Sequence, residues 1–161
     1  MSERWVVNAS PLIALGRIGR LDLLAALADE VVIPEDVVSE VERGGDDASA
    51  YVRAAPLRVI QVAADPRVVS WGLGLGETAV LSMAKAQAGL VAILDDLAAR
   101  RCASALGIPT RGTVGVVLLA KTRQVIPSAA AVLADLGRAG LYLSPNLVAH
   151  ALSLVGEQEG E

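Results

Sequence analysis

An α/β fold with a mostly parallel sheet, covered on both faces, is what this sequence predicts. Three observations predict it. Short runs rich in valine and isoleucine alternate along the chain with segments of helical periodicity. The run at 90–94 is apolar throughout, as a strand buried on both faces must be. Proline and glycine stand where helices would start and stop.

Taken in order, Trp5-Val6-Val7-Asn8 reads as a first strand. Ser10-Pro11 follows, with Ser10 as N-cap and Pro11 in the first turn, where its missing N–H is not needed. Leu12, Ile13, Leu15 and Ile18 then mark one short helix, and Leu21, Leu23, Leu24 and Leu27 a second. Val31-Val32-Ile33 is a strand stopped by Pro34, which opens a helix over 35–42 with Val37, Val38 and Val41 on one face. Residues 44–47 form a loop and 48–54 a short helix. The alternation at 57–62 suits a half-exposed edge strand. Residues 64–75 read mostly as loop, and 76–88 as a helix ended by Gly89. After the buried strand, 97–106 is a helix ended by Gly107, and 108–111 a weak last strand. Residues 113–122 fit a helix or a buried strand; Thr113 as N-cap, with Lys121 and Arg123 near the end, favours the helix. A helix over 128–139 follows. The last helix, opened by Ser144-Pro145, puts Leu147, Val148, Ala151, Leu152 and Val155 on one face. No linker or repeat interrupts the chain, which reads as one domain over 1–156 with a frayed, flexible tail at 157–161.

Composition narrows the function. The 161 residues are 53% hydrophobic with a mean hydropathy of +0.51, enough for a sizeable core. No apolar run approaches the roughly 18 residues that span a bilayer, and the N-terminus lacks a signal peptide's apolar stretch, so a cytoplasmic protein without a membrane partner is expected. A single cysteine, Cys102, rules out an internal disulfide and a cysteine zinc cluster, and its apolar neighbours place it in the core. The single histidine, His150, lies on the polar side of a late helix and is a poor candidate base. A net charge of −4 argues against a protein that coats nucleic acid by charge, but not against local grip on a strand. Gly72-Leu73-Gly74-Leu75-Gly76 lacks the spacing of a dinucleotide fingerprint, and Asn8-Ala9-Ser10-Pro11 supplies no phosphate-binding glycines after the first strand.

The candidate chemistry lies where the buried strand ends, at Asp95-Asp96. These are a possible metal site; equally, Asp96 caps the next helix and Asp95 is a turn residue. In a parallel sheet every strand end and every following helix start share one edge. Asn8 ends the first strand on that edge, and Glu77 opens a helix there. Glu40 lies about five residues into its helix, roughly 8 Å along the axis, and reaches the edge only if that helix leans across it. Each has a plainer reading: Glu77 complements a helix dipole, and Glu40 belongs to a solvated face. Together, Glu40, Glu77, Asp95 and Asp96 around the Asn8 amide would repel one another unless a cation compensates. Mg²⁺ or Mn²⁺ suits such oxygen ligands, and phosphodiester hydrolysis suits such metals. Arg100, Arg101, Arg111, Lys121 and Arg123 could grip phosphates or simply be solvated.

Val-Val-Asn-Ala-Ser-Pro-Leu-Ile at 6–13, Ile-Pro-Glu-Asp-Val-Val-Ser-Glu-Val at 33–41, Gly-Leu-Gly-Glu at 74–77, Leu-Asp-Asp-Leu-Ala-Ala-Arg at 94–100 and Gly-Thr-Val-Gly at 112–115 together resemble a PIN domain. The match is to a prokaryotic PIN-like branch with Asn at the first acidic position. The resemblance implies a Rossmann-like, three-layer α/β/α sandwich around about five mostly parallel strands. It implies an Mg²⁺- or Mn²⁺-dependent ribonuclease acting on single-stranded or structured RNA, and a toxin-like partner of a small antitoxin protein in a type II pair. Carried over by position, the first acid falls on Asn8, the second on Glu40, the third on Glu77 and the fourth on Asp95, with Asp96 beside it as a possible fifth. The four carboxylates would be metal ligands. Ser10 and Thr113 would line the site, and Arg100 and Arg101 would bind substrate. Asn8 is the departure: one negative charge fewer weakens metal binding. A PIN-like module that holds RNA or protein without cutting is therefore the alternative, and the C-terminal helices are a possible homodimer face.

Overall fold

The first strand of the chain is the central one. In the computed structural model, which describes residues 3–44, 47–54 and 58–158, β1 (Arg4–Val7) lies between β2 (Glu30–Pro34) and β4 (Leu90–Ile93), parallel to both. β3 (Arg58–Ile60) pairs with β2, and β5 (Thr110–Arg111) with β4, giving the order β3-β2-β1-β4-β5 in a five-stranded, all-parallel sheet. The expected edge strand is indeed at an edge; residue 57, read as its start, lies outside the described residues, as do 45 and 46 of the expected loop. Leu90, Ala92 and Ile93 are fully buried, as the unbroken apolar run requires.

Helices α1 (Ala9–Arg17) and α2 (Asp22–Leu27) join β1 to β2, and α3 (Glu35–Gly44) and α4 (Asp47–Ala54) join β2 to β3. The path returns through α5 (Pro66–Val69) and α6 (Leu75–Ala86), and α7 (Leu97–Ala105) joins β4 to β5. Parallel crossovers are right-handed, so connections running outward in opposite directions from β1 cover opposite faces. α8 (Thr113–Thr122), α9 (Ala129–Arg138) and α10 (Pro145–Leu154) pack on one another, and α8 meets α1 and α2. The result is the three-layer α/β/α sandwich. Its core runs from Trp5 and Ile33 in the sheet to Leu12 and Leu15 of α1, Leu81 of α6 and Leu136 of α9, each fully buried. Such a side chain contributes about 1.5–3 kcal/mol. Cys102 is part of this core. No described helix is long and apolar enough to cross a membrane.

Several local expectations need correction. Asn8, not Ser10, is the N-cap residue of α1, although its side chain makes no capping bond. Residues 66–69, read as loop, form α5, because Asp65 accepts from the Arg67 N–H and Pro66 supplies a preset first turn. The ambiguous segment is a helix, but Gly112 takes the N-cap place and Thr113 is its first residue. Of the apolar face on α10, Ala151 and Leu152 are buried while Leu147 is exposed. Residue 157 is no loose tail. Glu157 accepts from the N–H groups of Ala129 and Ala130 at 2.8 and 3.0 Å and pairs with Lys121 at 3.3 Å, so it closes the N-terminus of α9. Burial pushes this carboxyl up, but the Ala130 and Ala129 N–H groups and Lys121 outweigh it and hold the group below its ordinary range.

Candidate active site

Between β1 and β4 the connections depart to opposite faces, which opens a crevice at the carboxyl ends of these strands. Asn8 sits at this switch point. Its N–H donates to the Ile93 carbonyl at 2.9 Å, extending the sheet ladder by one rung. The side chain is 2% exposed, and its Oδ1 has no hydrogen-bond partner. A buried amide oxygen without a donor costs about 1–3 kcal/mol, so its persistence asks for a reason.

The reason lies in what surrounds it. Helix α3 does lean across the edge, since it packs on α6 as well as on α1 and α4. Val37 and Val41 anchor its buried side, and Glu40, three residues beyond Val37, shares that flank. The two helices meet at Gly76. A Cβ at this position would stand 3.1 Å from Asn8 Oδ1, 3.4 Å from Glu40 Oε1 and 3.6 Å from Val37 Cγ2, so glycine is what lets α6 come this close. Glu77 follows in the first turn of α6, its Oε2 folded back over Gly74, where a Cβ would lie 2.6 Å away. Burial, and then the neighbouring Glu77 charge, raise the Glu40 carboxyl above its ordinary value of 4.5. Asn8, Glu40 and Glu77 thus form one group of oxygen atoms, with the Arg43 charge the lesser, opposing influence on Glu40.

Asp95 stands on the β4 side and is differently held. Its Oδ1 accepts from the Thr113 N–H at 2.7 Å, and its Oδ2 from Thr113 Oγ1 at 2.6 Å and Ser10 Oγ at 3.2 Å. Thr113 is fully buried. Ser10 and Thr113, expected to line the site, are therefore turned onto Asp95 and fasten α1, β4 and α8 together through it. Asp96 is the N-cap of α7: its Oδ2 accepts from the Ala99 N–H at 2.9 Å, and it is exposed. Arg100 is half-buried and donates to the Leu94 carbonyl at 3.3 Å, while Arg101 on the same helix is exposed.

The five residues expected at the site thus fall into two groups along one edge: Asn8, Glu40 and Glu77 at the α3–α6 contact, and Asp95 and Asp96 at the end of β4. Among the described residues, no three acidic, histidine or cysteine side chains are gathered closely enough to hold one ion as they stand. The donors nevertheless fit a hard cation in kind. Every one is an oxygen, one of them is an orphaned buried acceptor, and one carboxyl is raised by burial and a neighbouring carboxylate. Sequence reasoning missed the role of Gly76 and Gly112. The only signal was a glycine at a helix start just before an expected acidic or hydroxyl side chain.

A parallel sheet with an amide and carboxylates at its switch point defines an α/β protein with one acidic strand edge. Residues 4–157 match the family model DUF3368, a PIN domain, and the chain belongs to that family. Among solved structures it is similar to PAE2754 from Pyrobaculum aerophilum, with 20% identity and a TM-score of 0.50 over 74% of this chain and 98% of that one, a likeness of fold. No curated protein is significantly similar in sequence.

Proposed function

We propose that the chain is a metal-dependent ribonuclease of the PIN type. The observation that supports this best is the buried, unpartnered Asn8 Oδ1, which shares the space over Gly76 with the Glu40 carboxyl. Membership of the PIN family supports a nuclease as the class of activity. Asn8, Glu40 and Glu77 would hold Mg²⁺ or Mn²⁺, with Asp95 completing the set from the neighbouring strand. When bound, such an ion lowers the pKa of a water and stabilises the oxygens of a phosphodiester. The chain's own residues do the rest. Thr113 and Ser10 fix the Asp95 carboxylate, Asp96 starts α7 and so positions Arg100, and Arg100 and Arg101 offer charge to an RNA backbone. A place as the toxin-like member of a type II pair, neutralised by a small antitoxin, is consistent with a site open at one edge.

One observation favours a second reading, a PIN-like module that binds without cutting: Asn8 removes a charge and the acids stand in two groups. Cleavage of single-stranded RNA in Mn²⁺, compared between the parent and Asp95→Asn, decides. Loss of activity in the variant supports the nuclease. Equal activity would sink the mechanism, and no Mn²⁺ binding by calorimetry at millimolar metal would leave the module.

A further inference from the structure

On the far side of Asp95 from Glu40 lies a cleft of about 610 Å³, between the start of α7, the end of β5 and the start of α10. Asp95, Arg100 and Arg111 line its floor, and Leu97 and Leu147 its walls. Its size is that of a small-molecule site, roughly 300–1,000 Å³. Four features make it more than a surface dent. Arg100 has no carboxylate partner among the described residues; its one hydrogen bond there goes to the Leu94 carbonyl. Arg111 gives both contacts of its Nη2 to Glu3, at 3.0 and 2.9 Å, and leaves its Nε buried without a partner. Two glycines keep space for these side chains. A Cβ on Gly112 would lie 2.9 Å from Arg100 Nη1 and 3.1 Å from Asp95 Oδ1, and one on Gly115 2.8 Å from Arg111 Cγ. Finally, Leu97 and Leu147 are 62% and 45% exposed, large apolar side chains left facing water at the two walls of a charged floor.

We propose that this cleft is the subsite for the nucleotide next to the scissile phosphodiester, with its phosphate on Arg100 and its base against Leu97 and Leu147. The proposal rests on the nuclease reading for the word scissile, but not for the binding itself. A guanidinium without a carboxylate pairs with a phosphate by charge-assisted hydrogen bonds, and a base has a flat apolar face for the leucines. A nucleotide satisfies both at once, whereas a purely acidic or a purely apolar peptide segment meets only one of them. Because Asp95 belongs both to the strand edge and to this floor, a nucleotide seated here leaves its linking phosphate at the acidic edge. The overall charge of −4 means that such binding is local, and the aliphatic walls mean that it is weak for one nucleotide.

The test uses the full chain in chelator, so that it does not depend on cleavage. Adenosine 5′-monophosphate and inorganic phosphate are titrated separately, with amide chemical shifts as readout. The expected result is a saturable response at 94–100, 110–115 and 146–148 in the millimolar range or tighter, with phosphate weaker than the nucleotide. Arg100→Ala is expected to weaken both ligands at least tenfold. Leu147→Ser, a neutral change at an exposed position that does not endanger folding, is expected to weaken the nucleotide and leave phosphate unchanged. No response at these residues, a response elsewhere, or equal binding of nucleotide and phosphate overturns the proposal. So does a cleft that ignores the nucleotide and is covered by a protein partner. RNA cleavage separates the two readings. Nucleotide binding without any cleavage leaves the subsite standing and removes the nuclease. Cleavage whose KM is unmoved by Leu147→Ser does the reverse.

Discussion

Replacing Asn8 by aspartate tests the site at its most sensitive atom. Asn8→Asp changes one buried nitrogen to oxygen and adds a charge where exposure is 2% and Glu40 Oε1 is already a neighbour across Gly76. Without metal, a carboxylate here is desolvated and faces like charge, and an uncompensated buried charge costs about 3 kcal/mol or more. The new group's pKa in the folded chain is raised, so the sign is fixed. Stability is intact below the ordinary aspartate value and is lost as pH rises through the raised value. For a domain of this length, about 3 kcal/mol corresponds to a fall in Tm of roughly 6–12 °C at pH 8, and to little change at pH 4. Mn²⁺ at about 100 times its Kd restores some 2.7 kcal/mol, and it binds the variant more tightly than the parent. Thermal melts at pH 4 and pH 8, in chelator and in Mn²⁺, measure all four values. A variant that melts with the parent at pH 8 in chelator would refute the buried, like-charged site, and an equal Mn²⁺ shift in both proteins would refute the cation that fills it.

Three further expectations follow from named contacts. Thr113→Val removes the 2.6 Å bond from a fully buried hydroxyl to Asp95 and should cost about 2 kcal/mol in urea unfolding, while Thr113→Ser keeps the bond and most of the stability. Asp96→Ala removes the cap of α7 and should cost about 1 kcal/mol, yet leave Mn²⁺ affinity by calorimetry within twofold of the parent. Glu157 has a lowered carboxyl, so its contribution is present above 4.5 and is lost as pH falls below it. Glu157→Gln should therefore lower the Tm at neutral pH, and the difference from the parent should vanish in acid.

The sheet was legible because its signals are local and redundant. An unbroken apolar run marks β4, alternation marks an edge at β3, and prolines mark the starts of α1, α3 and α10. The site was legible in part. Parallel topology alone puts Asn8, Glu77 and Asp95 on one edge, and that inference needs no side-chain geometry. What could not be read is where each polar side chain turns. Ser10 and Thr113 look like site-lining hydroxyls, yet both are spent on Asp95, because a half-buried carboxylate takes the nearest donors. Asp95 and Asp96 are adjacent and identical in chemistry, and one serves as a tertiary clasp while the other serves as a cap. Leu147 sits in a faultless apolar stripe, but the stripe is wider than the surface that covers it, so one leucine is left over.

The central place of β1 has a consequence for synthesis. As the chain is made, β1, β2 and β3 can pair in turn, since each strand joins the one before it. The other edge of β1 has no partner until residues from Leu90 onward emerge. For that interval the nascent chain carries the open edge of a strand destined for the middle of a sheet, a template for wrong pairing with other chains. Asp95 arrives with the strand that closes this edge. The protein therefore acquires the last acid of its candidate site in the same step that ends its exposure to aggregation, and a chain truncated before that step has neither.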